Sequence, residues 1–195
     1  MTATVKLSAR DRLIAAADEL FYREGVQTVG IDRIIEHAGV AKASLYKCFG
    51  SKEELIRAYL EARHERIRAR MERMLAQHDD PRDRLLSIFD VQAQLFADPH
   101  YHGCAFVAAS TEAPPGGVVE RATDAFRAWM RDLLTELARD VGVADPESVA
   151  RTVHLLYDGA MLSARMDRDP AAATSARAAA AAVLDAAPRA KRRRA

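Results

Sequence analysis

A disulfide framework is closed to this chain. It has only two cysteines among 195 residues, Cys48 and Cys104, and they stand in neither a CxxC nor a zinc-ligand spacing. Glycine is sparse, β-branched residues are few, and no alternating apolar pattern is long enough to set a strand, which argues against a sheet. Long apolar runs are missing too. The longest, 171–187, is mostly alanine and is interrupted by Thr174, Ser175 and Arg177, so no membrane span is expected. The opening residues, MTATVKLSARDR, carry no apolar signal core. No nucleophile–base motif, metal set or cofactor-binding pattern is found, so an enzyme is not expected. These absences leave a reduced, cytoplasmic, helical protein without cofactor or metal.

What is present favours helices: alanine, leucine and arginine abound. The net charge of +1 conceals an uneven distribution. Residues 1–75 carry 14 basic and 11 acidic side chains, residues 76–188 carry 10 and 17, and the last seven residues carry 5 basic and none acidic. The excess of positive charge toward the N-terminus suits a polyanionic partner.

Helix signals punctuate the chain. Ser8 and Asp11 form an S-x-x-D start, followed by Leu13, Ala17, Leu20 and Phe21 at helical spacing, with Gly25 at the end. Ile31, Ile34, Ile35 and Ala38 share one face of a short second helix that Gly39 terminates, and a third short helix runs to Phe49 and Gly50. Ser51 to Glu54 is a capping box opening a long helix to about Gln77, with Leu55, Tyr59, Leu60, Ile67, Met71 and Met74 as its apolar stripe. Asp80-Pro81, Asp145-Pro146 and Asp169-Pro170 each place a capping carboxylate before a proline suited to the first helical position. They predict helices over about 82–97, 146–167 and 171–186. A further amphipathic helix is expected over 116–140, with Val119, Ala122, Phe126, Trp129, Leu133 and Leu137 inward, and a short one over 104–112. The expected fold is all-α, with about nine helices: an N-terminal three-helix bundle (1–50), a larger helical region (51–188) and a disordered basic end (189–195).

Short helix, glycine turn, short helix is the helix-turn-helix arrangement, whose second helix enters the DNA major groove. In "GVAKASLYKCFGSKEEL", Val40, Leu45 and Phe49 can seat the helix. Lys42, Ala43, Ser44, Tyr46 and Lys47 are then left outward. Lysine donates to guanine or phosphate, serine to either, alanine touches a thymine methyl, and Tyr46 offers a hydroxyl to phosphate. Lys52, beside the free N–H groups of the fourth helix, completes a second anion site.

Residues from about Arg12 to Tyr59 resemble the TetR family of bacterial transcriptional regulators, on the stretch "FYREGVQTVGIDRIIEHAGVAKASLYKCFGSKEEL". The resemblance implies a homodimer that binds a palindromic operator on double-stranded DNA, usually as a repressor, and leaves it when a small ligand enters the C-terminal domain. Position by position, it implies DNA contact by Lys42, Ala43, Ser44, Tyr46, Cys48 and Lys52. The sequence departs from the pattern at Cys48, where many members have histidine, at Ala41, where serine is frequent, and at Gly30, where threonine or serine is frequent.

One recognition helix covers too few base pairs for useful specificity, so a dimer is expected on physical grounds as well. Its surface is expected on the last two helices: Val149, Val153, Leu156, Tyr157, Ala160, Met161 and Ala164 make one wide apolar face, and Gly159, Ala160, Ser163 and Ala164 are small enough for close helix approach. The same faces can instead fill one protomer's core. A pocket for a small apolar ligand is expected among Phe89, Gln92, Phe96, Cys104, Phe106, Phe126, Trp129, Tyr157 and Met161. His100, His102 and Cys104 are metal-ligand types, but their spacing is not a zinc spacing, and a polar loop is the expected reading. The rival classes are a helical protein-interaction module and a helical enzyme, neither of which needs outward Lys, Ser and Tyr on the third helix.

Overall fold

The computed structural model describes residues 7–190. Among them run nine helices: α1 Ala9–Glu24, α2 Ile31–Ala38, α3 Lys42–Phe49, α4 Lys52–Leu75, α5 Pro81–Phe96, α6 Ala105–Glu112, α7 Val118–Val141, α8 Pro146–Met166 and α9 Ala172–Ala186. The only β pairing among the described residues is an isolated bridge between Val143 and Arg189. No described helix is long and apolar enough to cross a membrane.

The helix starts follow the capping chemistry. Ser8 Oγ accepts the Asp11 N–H at 3.1 Å. Asp80 accepts from Arg82 and Asp83 at 2.9 and 3.1 Å, and Asp145 from Ser148 at 3.0 Å. Each satisfies N–H groups that the first turn leaves without partners. Two expected caps differ in detail. Ser51 Oγ accepts the Glu54 N–H at 3.2 Å, but the Glu54 carboxylate takes Arg57 at 2.8 Å rather than closing a capping box. Asp169 accepts from Ala171 N at 2.8 Å, and α9 starts after this turn with Ala171 as an N-cap that offers no side-chain bond.

The chain forms two compact units. One comprises the chain up to His64 together with Ala105–Asp124. The other comprises Glu65–Cys104 and the chain from Ala125. Two boundaries fall inside α4 and α7, so these helices belong to both units, and the third falls just before α6.

In the first unit α1 packs on α2 and α3, and α2 on α3. Leu13, Leu20, Val29, Ile34, Leu45 and Leu55 are fully or almost fully buried, each worth roughly 1.5–3 kcal/mol of transfer out of water. Phe21 and Tyr59 meet edge to face with centroids 5.5 Å apart, and the Arg63 guanidinium lies 3.7 Å above the Tyr22 ring while pairing with Asp18 at 2.6 Å.

In the second unit α9 packs on α5 and α8. Three expectations are corrected here. The inward face of α7 is turned slightly: Met130 and Leu134 are fully buried beside Phe126 and Leu137, while Trp129 and Leu133 are only partly covered. On α8, Val149, Val153, Tyr157, Ala160 and Ala164 are buried within this protomer, so most of the face expected at a dimer surface fills the chain's own core against α5 and α9. Finally, Arg189 and Ala190 do not begin a disordered tail. Ala190 N donates to Gly142 O at 2.9 Å, Ala144 N to Pro188 O at 2.8 Å, and Arg189 Nη1 to Val141 O at 2.6 Å. These bonds tie the segment after α9 to the turn between α7 and α8. The rest of the expected tail, Lys191 onward, lies outside the described residues.

Candidate functional site

The helix-turn-helix geometry begins at Gly39. Its left-handed backbone, φ 60° and ψ 43°, lets its N–H reach back to Glu36 O and Ile35 O, and Val40 N bonds Ile35 O at 3.1 Å. A Cβ would make this conformation costly. Arg12 of α1 then donates from Nη1 to Ala38 O at 3.2 Å and Gly39 O at 2.9 Å. A guanidinium on the last carbonyls of α2 both satisfies them and opposes the negative helix end, so α1 fixes the angle of the turn. Nothing in local spacing links Arg12 to a glycine 27 positions away, so the contact has no signature in the sequence.

Helix α3 is held by Leu45, which is fully buried, by half-buried Phe49, over which the Arg10 guanidinium lies at 5.3 Å, and by half-buried Val40 before the helix. Around these anchors Lys42, Ala43, Tyr46 and Lys47 are exposed, and Ser44 and Cys48 are half-buried. The outward set is therefore a strip of two ammonium groups, a phenol and a methyl on one short helix. Neither Ala41 before α3 nor Gly30 before α2 supplies a side-chain cap, so no N-cap side chain occupies the N–H end of either helix. Such ends favour anions.

Two of the expected contact residues are already engaged. Lys42 Nζ donates to Asp32 Oδ1 of α2 at 2.8 Å, and this hydrogen bond and the carboxylate charge raise the Lys42 pKa. Lys52 Nζ donates to Gln27 O at 3.2 Å, and partial burial lowers its pKa against the opposing fields of Glu53 and Glu112. Asp32 and Glu112 were not singled out from the sequence. Asp32 stands in the first turn of α2, where an acidic residue has an ordinary dipole role that masks any other; Glu112 ends α6, and no local spacing links it to a turn 85 positions earlier.

The residues expected around a ligand divide between the units. Phe106, fully buried, belongs to the first unit with α6, whereas Phe89, Gln92, Phe96, Cys104, Phe126, Trp129, Tyr157 and Met161 belong to the second. In the second unit, Gln92 is completely buried and donates from Nε2 to Tyr157 O at 2.8 Å, while its Oε1 has no partner among the described residues. The carbonyl fixes the amide orientation, because a flipped Gln92 would set oxygen against oxygen. The free atom is thus an acceptor, and leaving it so costs about 1–3 kcal/mol. Tyr101, absent from the expected set, joins it. Its hydroxyl donates to Met161 O at 2.9 Å, and its ring lies 5.0 Å from that of Phe96. Tyr101 lies in the loop between α5 and α6, beside His100, where no helical spacing points to it. Burial pushes the Tyr157 phenol far above its ordinary range, with Cys104, Asp158 and Tyr101 adding to the shift. Neither cysteine is in a disulfide, and no three His, Cys, Asp or Glu among the described residues gather as a metal site.

Comparison with known proteins covers both units. The profile described as "Bacterial regulatory proteins, tetR family" matches residues 13–59, and that described as "Tetracyclin repressor-like, C-terminal domain" matches 81–180. A TetR-family transcriptional regulator from Streptomyces coelicolor is 34% identical, with a TM-score of 0.86 over 91% of this chain and 94% of that one. A putative transcriptional regulator of the same type from Streptomyces avermitilis is 32% identical, with a TM-score of 0.80 over 93% and 98%. An HTH-type transcriptional regulator of Mycobacterium tuberculosis is 29% identical over 157 residues, which is 77% of this chain and 75% of that protein.

Proposed function

The chain belongs to the TetR family of bacterial transcriptional regulators, and on that premise we propose that it is a repressor that grips a palindromic operator as a homodimer and lets go when a small molecule enters its second unit. It is a DNA-binding regulator and not an enzyme. The observation that carries the reading is α3: Leu45 pins the helix while Lys42, Ala43, Tyr46 and Lys47 stand outward from it. Lys42 and Ser44 read base edges; Tyr46, Lys47, Cys48 and Lys52 lie along the phosphates. Acting on DNA, the protein works in the cytoplasm.

A second copy is proposed to cover the outer side of α8. Leu155, Leu162 and Met166 are 72%, 58% and 70% exposed at helical spacing, with Gly159 open beside them. Exposed Ser175, Ala178 and Ala182, in line with the exposed N-cap Ala171, form a small-residue strip on α9. Apolar side chains beside small ones suit close helix packing across a two-fold axis. For the ligand, the free Gln92 acceptor, bonded through its amide to Tyr157 of α8, together with the linked Phe96, Tyr101 and Met161, favours a mostly apolar molecule with one hydrogen-bond donor.

Electrophoretic mobility shift with the protein's own upstream DNA tests the reading. A shifted band at low salt is expected. Tyr46→Phe should weaken binding to every sequence, while Lys42→Ala should alter which sequence is preferred. No shift with any promoter fragment would remove the proposal.

A further inference from the structure

Gln27, in the turn between α1 and α2, is held at both of its backbone groups by side chains from other helices. Its N–H donates to Glu112 Oε2 at 2.8 Å, and its carbonyl accepts from Lys52 Nζ at 3.2 Å. Glu112 is the last residue of α6 and Lys52 the first of α4. All three residues lie within one compact unit.

The turn is shaped for this carboxylate. A Cβ at position 25 would stand 2.5 Å from Glu112 Oε1 and 3.0 Å from its Cδ. Gly25 also has φ 93°, a region that L side chains avoid. The glycine ending α1 thus meets two demands, and only the second was readable from the sequence. On either side of Gln27, Val26 and Val29 are buried. With the core gripping its neighbours and two charged groups gripping its backbone, the turn has little freedom left. It leads directly into α2, whose first residues carry no side-chain cap, and Gly30 there is open on its outer side.

We infer that Glu112 is a positioning residue for operator binding: from the end of α6 it holds, together with Lys52, the Gln27 backbone that aims the start of α2 and the Lys52 ammonium at the DNA phosphates. This rests on the DNA-binding reading above. Glu112 touches no DNA itself, and its negative charge, taken alone, repels phosphate. Its contribution is geometric: a turn fixed in advance spends no conformational entropy when the operator arrives.

Geometry and charge separate cleanly by substitution in the full chain. Glu112→Gln keeps an acceptor oxygen at the same reach and removes the charge. Glu112→Asp keeps the charge and withdraws the oxygen by one methylene. Glu112→Ala removes both. Two readouts are taken on each: fluorescence anisotropy with a labelled upstream duplex, and hydrogen exchange of the Gln27 amide.

Glu112→Ala and Glu112→Asp are expected to speed Gln27 exchange and to weaken operator binding by about tenfold, the scale of one charge-assisted hydrogen bond. Glu112→Gln should stay within about threefold of the wild type in both. Wild-type binding by the aspartate variant with loss in the glutamine variant would overturn the inference in favour of charge. Wild-type binding by all three variants would overturn it outright. Tighter binding by the alanine and glutamine variants would make Glu112 an electrostatic brake and overturn it as well. If the wild-type chain binds no fragment while the exchange pattern holds, the DNA reading fails and takes the operator role of Glu112 with it, while the Glu112–Gln27 contact itself stands.

Discussion

Lys42 Nζ donates a 2.8 Å hydrogen bond to Asp32 Oδ1, so the residue that opens α3 is held by a carboxylate from the first turn of α2. Both side chains are largely exposed, and their pair is screened by water and salt. Reaching a guanine or a phosphate requires Lys42 to leave this partner.

Asp32→Asn should therefore tighten DNA binding at low salt by about two- to fivefold, an exposed ion pair being worth little. The gain should shrink as salt is raised. Anisotropy titrations at two ionic strengths read both, and weaker binding by Asp32→Asn would show that Asp32 orients Lys42 instead of competing for it.

The outer side of α8 supplies a prediction about assembly. Leu162→Glu places a charge in the centre of the exposed Leu155–Leu162–Met166 strip without touching the buried side of the helix. Light scattering should find a dimer for the wild type and a monomer for the variant, with helical content unchanged. A variant that stays dimeric would move the interface elsewhere. Operator affinity should fall with the loss of the dimer, because one recognition helix covers only half a site.

Gln92 is expected to be a recognition group, since as packing it is a poor choice: its free Oε1 has no folded-state benefit to offset burial. Gln92→Met fills the same volume and should change stability by less than about 1.5 kcal/mol. Native mass spectrometry of protein purified from cell extract should then show a bound small molecule on the wild type and not on the variant. A large loss of stability in Gln92→Met would assign Gln92 to the core instead.

His154 gives the pH dependence. It is buried on α8 with Nε2 lacking a hydrogen-bond partner, 3.8 Å from Asp158 Oδ1. Burial lowers its pKa, the Asp158 charge opposes this, and Arg127 and Arg131 add to the lowering. The unfolded chain thus takes up a proton near the ordinary value of about 6.5 while the folded chain still resists it. The stability contributed by neutral His154 is complete above that pH and is lost as pH falls toward the lowered folded value. Tm should drop between pH 7.5 and 5.5, and His154→Gln should flatten that slope. An unchanged slope would mean that His154 is not the group titrating.

Much was legible because it is local. Caps at Ser8, Asp80 and Asp145 signal through neighbouring backbone groups, and helical periodicity repeats within a few residues. The turn glycine, the Leu45 anchor and the outward Lys, Ala and Tyr of α3 are set by spacing within eight residues. The faces of the longer helices were harder. On α8, apolar residues lie on both sides of the helix, and composition cannot say which side meets α5 and α9 and which stays open. On α7, Trp129 and Met130 compete for the inward place, and packing gave it to Met130.

By itself, the sequence determined the all-helical class, the order of the helices and the recognition helix, since these depend on backbone propensity and short-range spacing. Tertiary structure decided what connects across the chain. It set Arg12 on the carbonyls of Gly39 and its neighbour, Asp32 on Lys42, and Glu112 of α6 on the Gln27 backbone beneath Gly25. Each of these joins a side chain to a partner on a different helix, or to the turn beside it. A hydrogen bond over such a separation depends on how whole helices pack, and no local pattern encodes it.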